Sequence, residues 1–205
     1  MNTKKWYIFD CYGTLVKPIH NTWAKLLLSL TQNKKDLKDI LFTQNIPIRQ
    51  VLENYTTIDS KDKLKIIEWF TKDTTRLYDD AKRLLDKCYH NNIPFAILTN
   101  ISHDYIIDIE NIIGTVYKDK RNELFTILYS CEIGYKKPQP ESYTSAIDFL
   151  LQQWITKNNI TMIGDNKLYD CIEPRKYWIN TQHLNRNDNI VLNHDQIQSF
   201  DELDI

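Results

Sequence analysis

Three short apolar runs, each stopping at a polar residue, constrain this chain more than any other feature. Trp6-Tyr7-Ile8-Phe9 stops at Asp10, Pro94-Phe95-Ala96-Ile97-Leu98 stops at Thr99-Asn100, and Ile160-Thr161-Met162-Ile163 stops at Gly164-Asp165. A run with no polar face to show to water predicts a strand buried on both sides. Phe125 to Tyr129 and Asn180 to Leu184 are weaker strand candidates. Helical patterns fall between the runs: Leu77, Ala81, Leu84, Leu85 and Cys88 share one face, and Tyr143, Ile147, Leu150, Leu151 and Trp154 share another. Strands that alternate with helices pair in parallel through right-handed crossovers. The expected fold is therefore α/β, a doubly wound, Rossmann-like parallel sheet of about five strands. Chemistry in such sheets gathers at the carboxyl ends of the strands, where Asp10, Thr99 and Asp165 fall.

Residues 18–76 break the alternation. Trp23, Leu26, Leu27 and Leu30 make an amphipathic face, and Leu64, Ile67 and Phe70, with Ile66 and Trp69 beside them, suggest another helix with Ser60 as a candidate N-cap. Asp36 to Tyr55 also reads as helical, with a break at Pro47. This stretch predicts a small helical cap (18–76) inserted into a core of residues 1–17 and 77–205. Asn185 to Asn189 predicts a loop, and Ile197 to Leu203 a last short helix. The length, 205 residues, suits one domain with such an insertion.

Charge and cysteine usage exclude several classes. Lys+Arg total 26 against 27 for Asp+Glu, a net charge of −1. That balance gives no general reason to hold nucleic acid or an anionic membrane. No apolar run approaches the roughly 20 residues of a membrane span, and the N-terminal run is too short for a secretion signal. The expected location is cytoplasmic. Cys11, Cys88, Cys131 and Cys171 are scattered, without the spacing of a zinc site or a disulfide framework. Reduced, buried thiols are expected.

The segment Phe9-Asp10-Cys11-Tyr12-Gly13-Thr14-Leu15 resembles the first motif of the haloacid dehalogenase (HAD) superfamily, and the family's later pieces follow in order. Thr99 closes the second run, Lys137-Pro138 with Gln139-Pro140-Glu141-Ser142-Tyr143 resembles the lysine motif, and Gly164-Asp165 through Asp170 resembles the acidic motif. The resemblance spans nearly the whole chain and implies a hydrolase acting on a small molecule. Asp10 would be the nucleophile; carboxylates at strand ends can form covalent intermediates that water then cleaves. Asp10, the Tyr12 carbonyl and Asp165 would bind Mg²⁺, with Asp170 acting through a water or by orienting a ligand. Hard Mg²⁺ takes oxygen ligands of this kind.

The residue types carry readings of their own. Gly13 permits a tight turn, and Thr14 either holds that turn or donates to the nucleophile. Lys137 supplies fixed positive charge; its neighbour Lys136 competes for that role, and the Lys-Pro step favours Lys137. Thr99 can donate to a phosphate oxygen. Asn100 either adds an amide donor or serves the turn. Either aspartate of the acidic motif could instead cap the helix that follows.

One position departs from the phosphatase pattern. Family phosphatases carry a general acid two residues after the nucleophile, and here Tyr12 stands there, as in the L-2-haloacid dehalogenase branch. That branch needs no metal and has serine where this chain has Asp165. An extra carboxylate beside Asp10 without a cation would cost several kcal/mol of repulsion. The balance favours a Mg²⁺-dependent phosphohydrolase that forms an aspartyl-phosphate from a phosphate ester or anhydride, with aryl or acyl leaving groups preferred. The alternatives are a metal-independent 2-haloacid dehalogenase with an ester on Asp10, and a weak HAD-like binding or regulatory protein. Cap aromatics (Trp23, Phe42, Tyr55, Trp69 and Phe70) could line a pocket, although core packing is the commoner fate of such residues.

Overall fold

The computed structural model describes residues 5–17, 27–31, 33–70, 75–153, 156–186 and 195–203. Strand β1 (Trp6–Phe9) opens the chain. After a helical segment at residues 27–30 come α1 (Lys34–Thr43), α2 (Ile48–Tyr55) and α3 (Ser60–Phe70) among the described residues. Then come α4 (Asp79–His90), β2 (Phe95–Thr99), β3 (Phe125–Tyr129), α5 (Pro140–Leu151), β4 (Ile160–Gly164), β5 (Asn180–Leu184) and β6 (Gln196–Ile197). The six strands form one all-parallel sheet in the order β3-β2-β1-β4-β5-β6.

The apolar runs become the central strands because both their faces are covered. Tyr7 and Phe9 point to the side packed by α4 and by residues 101–117, while Ile8 joins Ala96, Leu98 and Met162 under Tyr143, Ile147 and Leu150 of α5. The expected helix faces are buried in α4 (Ala81, Leu84, Leu85, Cys88) and in α5 (Tyr143, Ile147, Leu150). The strand order reverses between β1 and β4. This is the switch point at which a parallel sheet opens a crevice beyond its strand ends.

Several expectations need correction. The sheet of about five strands has six, the last being the two-residue β6, and the short helix expected over Ile197–Leu203 is confined to one 3₁₀ turn at Phe200–Glu202. Among the described side chains of α3, Ile66 is fully buried and Ile67 packs partly buried against the core, whereas Leu64 is 63% exposed. Ser60 is the first helical residue, and the capping is done by Asp59, whose Oδ1 accepts the Asp62 amide at 2.9 Å. Pro47 separates α1 from α2 as expected, its fixed φ leading into the first turn of α2. Trp23, Leu26, Trp154 and the side chains of Trp69 and Phe70 lie outside the described residues.

The cap helices lean on the core through named contacts. The Ile48 amide donates to Asp104 Oδ2 at 2.7 Å, His103 Nδ1 pairs with Asn45 Oδ1 at 2.6 Å, and Lys136 forms an ion pair with Asp39. Tyr55, expected as a possible pocket residue, is exposed and donates to Gln44 within the cap. All four cysteines are free and buried, as their spacing suggested.

Candidate functional site at the carboxyl ends of β1 and β4

Asp10 leaves the end of β1, pinned by a hydrogen bond from its amide to the Ile163 carbonyl of β4 at 2.9 Å. The chain then turns tightly. Gly13 N–H donates to the Val16 carbonyl at 2.8 Å, and the Leu15 and Val16 amides share the Cys11 carbonyl at 2.8 and 2.9 Å. Gly13 holds φ at +86°, and a Cβ there would come within 2.2 Å of Asp165 Oδ2. Only glycine allows this turn and this close approach of the β4 loop. A Cβ on Gly164 would likewise strike Asp170, at 2.3 Å from its Cγ. The two glycines that follow apolar runs thus make room for the two acidic-loop carboxylates.

Both oxygens of Asp10 are held. Oδ1 accepts from Lys137 Nζ at 2.6 Å, and Oδ2 accepts from the Thr14 hydroxyl at 3.1 Å. Lys137 Nζ also donates to Asp170 Oδ1 at 2.7 Å. Lys137 is 3% exposed and Asp170 fully buried. The Thr14 Oγ1 in turn accepts the Asp165 amide at 3.1 Å, joining the two loops. Lys136 turns away to Asp39 in α1, so it is Lys137 that reaches Asp10.

Asp170 sits in a wide helical turn, Lys167–Ile172, capped by Asn166, whose Oδ1 accepts the Leu168 and Tyr169 amides at 3.1 and 3.0 Å. Asp170 Oδ2 accepts the Asn166 amide at 2.9 Å, and the Tyr143 hydroxyl of α5 donates to the Tyr169 carbonyl at 2.7 Å. Thr99 is buried at the end of β2, opposite Tyr129 of β3. Asn100, expected as a ligand donor or a turn residue, has both amide ends on the Lys137 backbone: Nδ2 donates to its carbonyl at 2.9 Å and Oδ1 accepts its amide at 2.7 Å. Its place is to fix Lys137. Tyr12 is half-buried, with its ring edge-on to Tyr105 at 6.0 Å.

The electrostatics are unbalanced. One oxygen from each of Asp10, Asp165 and Asp170 lies within 4.8 Å of the others. Three carboxylates against one ammonium leave an excess of negative charge. Asp165 is exposed as a residue, yet desolvation of its carboxyl by the surrounding atoms, together with repulsion from Asp10 and Asp170, pushes it up to about 7. Burial pushes Asp170 up to about 6, with Lys137 opposing and Asp10 adding to the rise. Burial alone would lower the Lys137 pKa, but Asp10 and Asp170 hold it well above the usual lysine value, so the ammonium stays charged. An all-oxygen donor set carrying surplus negative charge, brought together by two glycines that let the acidic loop approach, fits a hard divalent cation. The cluster could coordinate one.

Contacts that the sequence did not announce complete the frame. His183 Nε2 lies 2.9 Å from the Asp165 carbonyl, the Ser130 hydroxyl accepts the Ile101 amide at 2.9 Å, and Arg186 donates to the Thr14 carbonyl at 2.8 Å. Each joins residues far apart in the chain, and no local pattern marks them.

Residues 7–182 match the profile of a family described as haloacid dehalogenase-like hydrolase. The chain belongs to this family. Several solved structures share its fold. A dehalogenase is 19% identical, with 98% of this chain and 96% of that one covered and a TM-score of 0.62. A HAD phosphatase from Thermococcus onnurineus is 15% identical, with 97% and 95% covered and a TM-score of 0.59. A HAD-hydrolase from Bacillus subtilis, bound to magnesium, is 15% identical, with 98% and 97% covered and a TM-score of 0.59. At these identities the likeness shows the HAD fold with its helical cap and nothing finer. No curated protein matches significantly.

Proposed function

We propose that this HAD-like hydrolase is a Mg²⁺-dependent phosphohydrolase acting on a small phosphorylated metabolite through an aspartyl-phosphate on Asp10. The supporting observation is the three-carboxylate cluster, whose surplus charge a divalent cation would balance. A haloacid carries its own carboxylate and would add to the repulsion. A phosphate arriving with a cation would relieve it.

In this reading an Asp10 oxygen attacks phosphorus in line, a P–O bond forms, and the bond to the leaving oxygen breaks. Lys137 and Thr14 hold the Asp10 carboxylate in one orientation, so little reorientation is needed for attack. The Lys137 ammonium also faces the charge that grows on the transferring group. Thr99, at the adjacent strand end, donates to a phosphate oxygen. Asp10, the Tyr12 carbonyl and Asp165 would hold Mg²⁺, with Asp170 behind them. When bound, the cation offsets the repulsion between Asp10 and the phosphate. Tyr12, in the place of a carboxylic acid, is a weak proton donor near neutral pH. Leaving groups that depart without a proton, such as aryl or acyl phosphates, are therefore favoured. Water then attacks phosphorus, the bond from phosphorus to Asp10 breaks, inorganic phosphate and a proton leave, and the Asp10 carboxylate is restored. The cap, spanning residues 18–76 in this proposal, covers the strand ends and selects the leaving group.

Tyr12 is also what favours a second reading, a metal-independent 2-haloacid dehalogenase with an ester on Asp10, because halide leaves without a proton. The two separate in one experiment. Release of p-nitrophenol from p-nitrophenyl phosphate with Mg²⁺, lost with EDTA and in Asp10→Asn, supports the phosphohydrolase. Chloride release from 2-chloropropionate that ignores EDTA overturns it in favour of the dehalogenase. Activity on neither would point to a binding or regulatory protein.

A further inference from the structure

Arg186 follows β5 in a polar stretch predicted as loop, yet its guanidinium lies against the nucleophile loop. Nη2 donates to the Thr14 carbonyl at 2.8 Å and Nη1 to Asp80 Oδ2 at 3.0 Å. The cation sits 3.8 Å from the centroid of the Tyr78 ring and 5.5 Å from that of Phe200. Asp80, at the start of α4, is itself fully engaged. Its Oδ2 also accepts the Phe200 amide at 2.9 Å and the Ser199 hydroxyl at 3.0 Å, and its Oδ1 accepts the Ala81 amide at 2.9 Å. Opposite charge and two aromatic rings therefore fix the guanidinium, and its second prong fixes Thr14.

Thr14 is where that grip meets the chemistry. Its hydroxyl donates to Asp10 Oδ2 and accepts the Asp165 amide. Its carbonyl and its side chain belong to one rigid turn, so a shift of the carbonyl tilts the hydroxyl between the two acidic loops. Next to Arg186 the turn is tied at Leu15, whose carbonyl accepts the Tyr78 amide at 2.9 Å. Tyr78 also lies beneath the guanidinium.

We propose that Arg186 is a positioning residue that acts through Thr14, setting the orientation in which Asp10 and the Asp165 loop are held together. The inference rests on the hydrolase reading of Asp10. A planar fork spans two acceptors at once, whereas a lysine ammonium on a flexible stem holds them less rigidly. Misplacement of a reacting group by about 1 Å can cost on the order of 10²-fold in rate.

The test is Arg186→Lys in the full chain, assayed with p-nitrophenyl phosphate and Mg²⁺ and by hydrogen exchange of the peptide covering residues 10–17. The expected result is a kcat lowered about 10- to 100-fold with KM within about twofold. The loop amides should exchange faster while β2 is unchanged. In a Thr14→Val background the same replacement should change kcat by less than about twofold, because the link it works through is gone. Arg83→Ala, which breaks an exposed ion pair to Asp201 on the C-terminal segment, should leave kcat unchanged. An unchanged kcat, an undiminished effect in Thr14→Val, unaltered loop exchange, or an equal loss in Arg83→Ala would each overturn the proposal. If Arg186→Lys does not fold, Arg186→Gln is held to the same criteria. Should the wild-type protein hydrolyse neither phosphate ester nor haloacid, the hydrolase reading fails, and the loop exchange still decides whether Arg186 positions Thr14.

Discussion

Lys137 faces two carboxylates in a place that water hardly reaches, so its removal has consequences that can be separated from catalysis. Lys137→Met leaves Asp10 and Asp170 buried without their cation, and breaking a buried ion pair in this way costs about 3–5 kcal/mol. The double change Lys137→Met with Asp170→Asn removes one of the stranded charges, so urea denaturation should show part of that loss recovered while turnover stays absent. Tyr12 allows the opposite kind of test, a gain. A carboxylic acid at this position would protonate the leaving oxygen, help that is worth about 10²–10⁴-fold. Tyr12→Asp should raise kcat/KM on sugar phosphates by about 10²-fold and alter p-nitrophenyl phosphate far less. An unchanged ratio between the two substrates would mean that proton supply does not limit this site.

At the scale of elements, the N-terminus of α4, the Ser199–Phe200 segment and the nucleophile loop meet at Asp80. Burial alone would raise the Asp80 carboxyl, but the Arg186 guanidinium, the Phe200 amide and the Ser199 hydroxyl together hold it below the usual value of 3.8. A carboxylate with a lowered folded pKa contributes stability that is complete above its unfolded value and is lost as pH falls through its folded one. Asp80→Asn should therefore cost about 3 kcal/mol at pH 7. It should also flatten the fall in urea midpoint that the wild-type protein shows below about pH 4. The same elements show what a sequence makes legible. The sheet was readable because a strand buried on both faces must be apolar throughout, and the α4 and α5 faces because they pack on it. Lys137 could be told from Lys136 by the proline after it. The side of α3 that faces inward was only partly readable, since Leu64, Ile66 and Ile67 are close-set apolar residues and tertiary packing alone turns Ile66 and Ile67 to the core and Leu64 to solvent. Nor could β6 be read, being two residues long, nor Arg186, whose partner Thr14 stands at the other end of the chain. Asn100 was open between ligand and turn, and its pairing with the Lys137 backbone is a long-range fact.

For the whole molecule the fold is shared by dehalogenases and phosphatases alike, so architecture does not choose between them and the charge of the crevice must. Among the described residues no helix is long and apolar enough to cross a membrane, and the chain carries a net charge of only −1. The surplus of carboxylates at the β1–β4 switch point is thus a local feature rather than part of a general acidity. A ligand that binds only the folded chain stabilises it by mass action, about 2.7 kcal/mol at a hundred times its dissociation constant. In a domain of this size that corresponds to a Tm increase of about 5–10 °C. Mg²⁺ should raise Tm by this amount, EDTA should reverse the rise, and Asp165→Asn should remove most of it, because that change deletes a ligand charge and relieves the repulsion the cation would otherwise balance. A Tm indifferent to Mg²⁺ in the wild-type chain would mean that the carboxylates settle their repulsion by retaining protons, and the case for metal-assisted phosphate chemistry would fall with it.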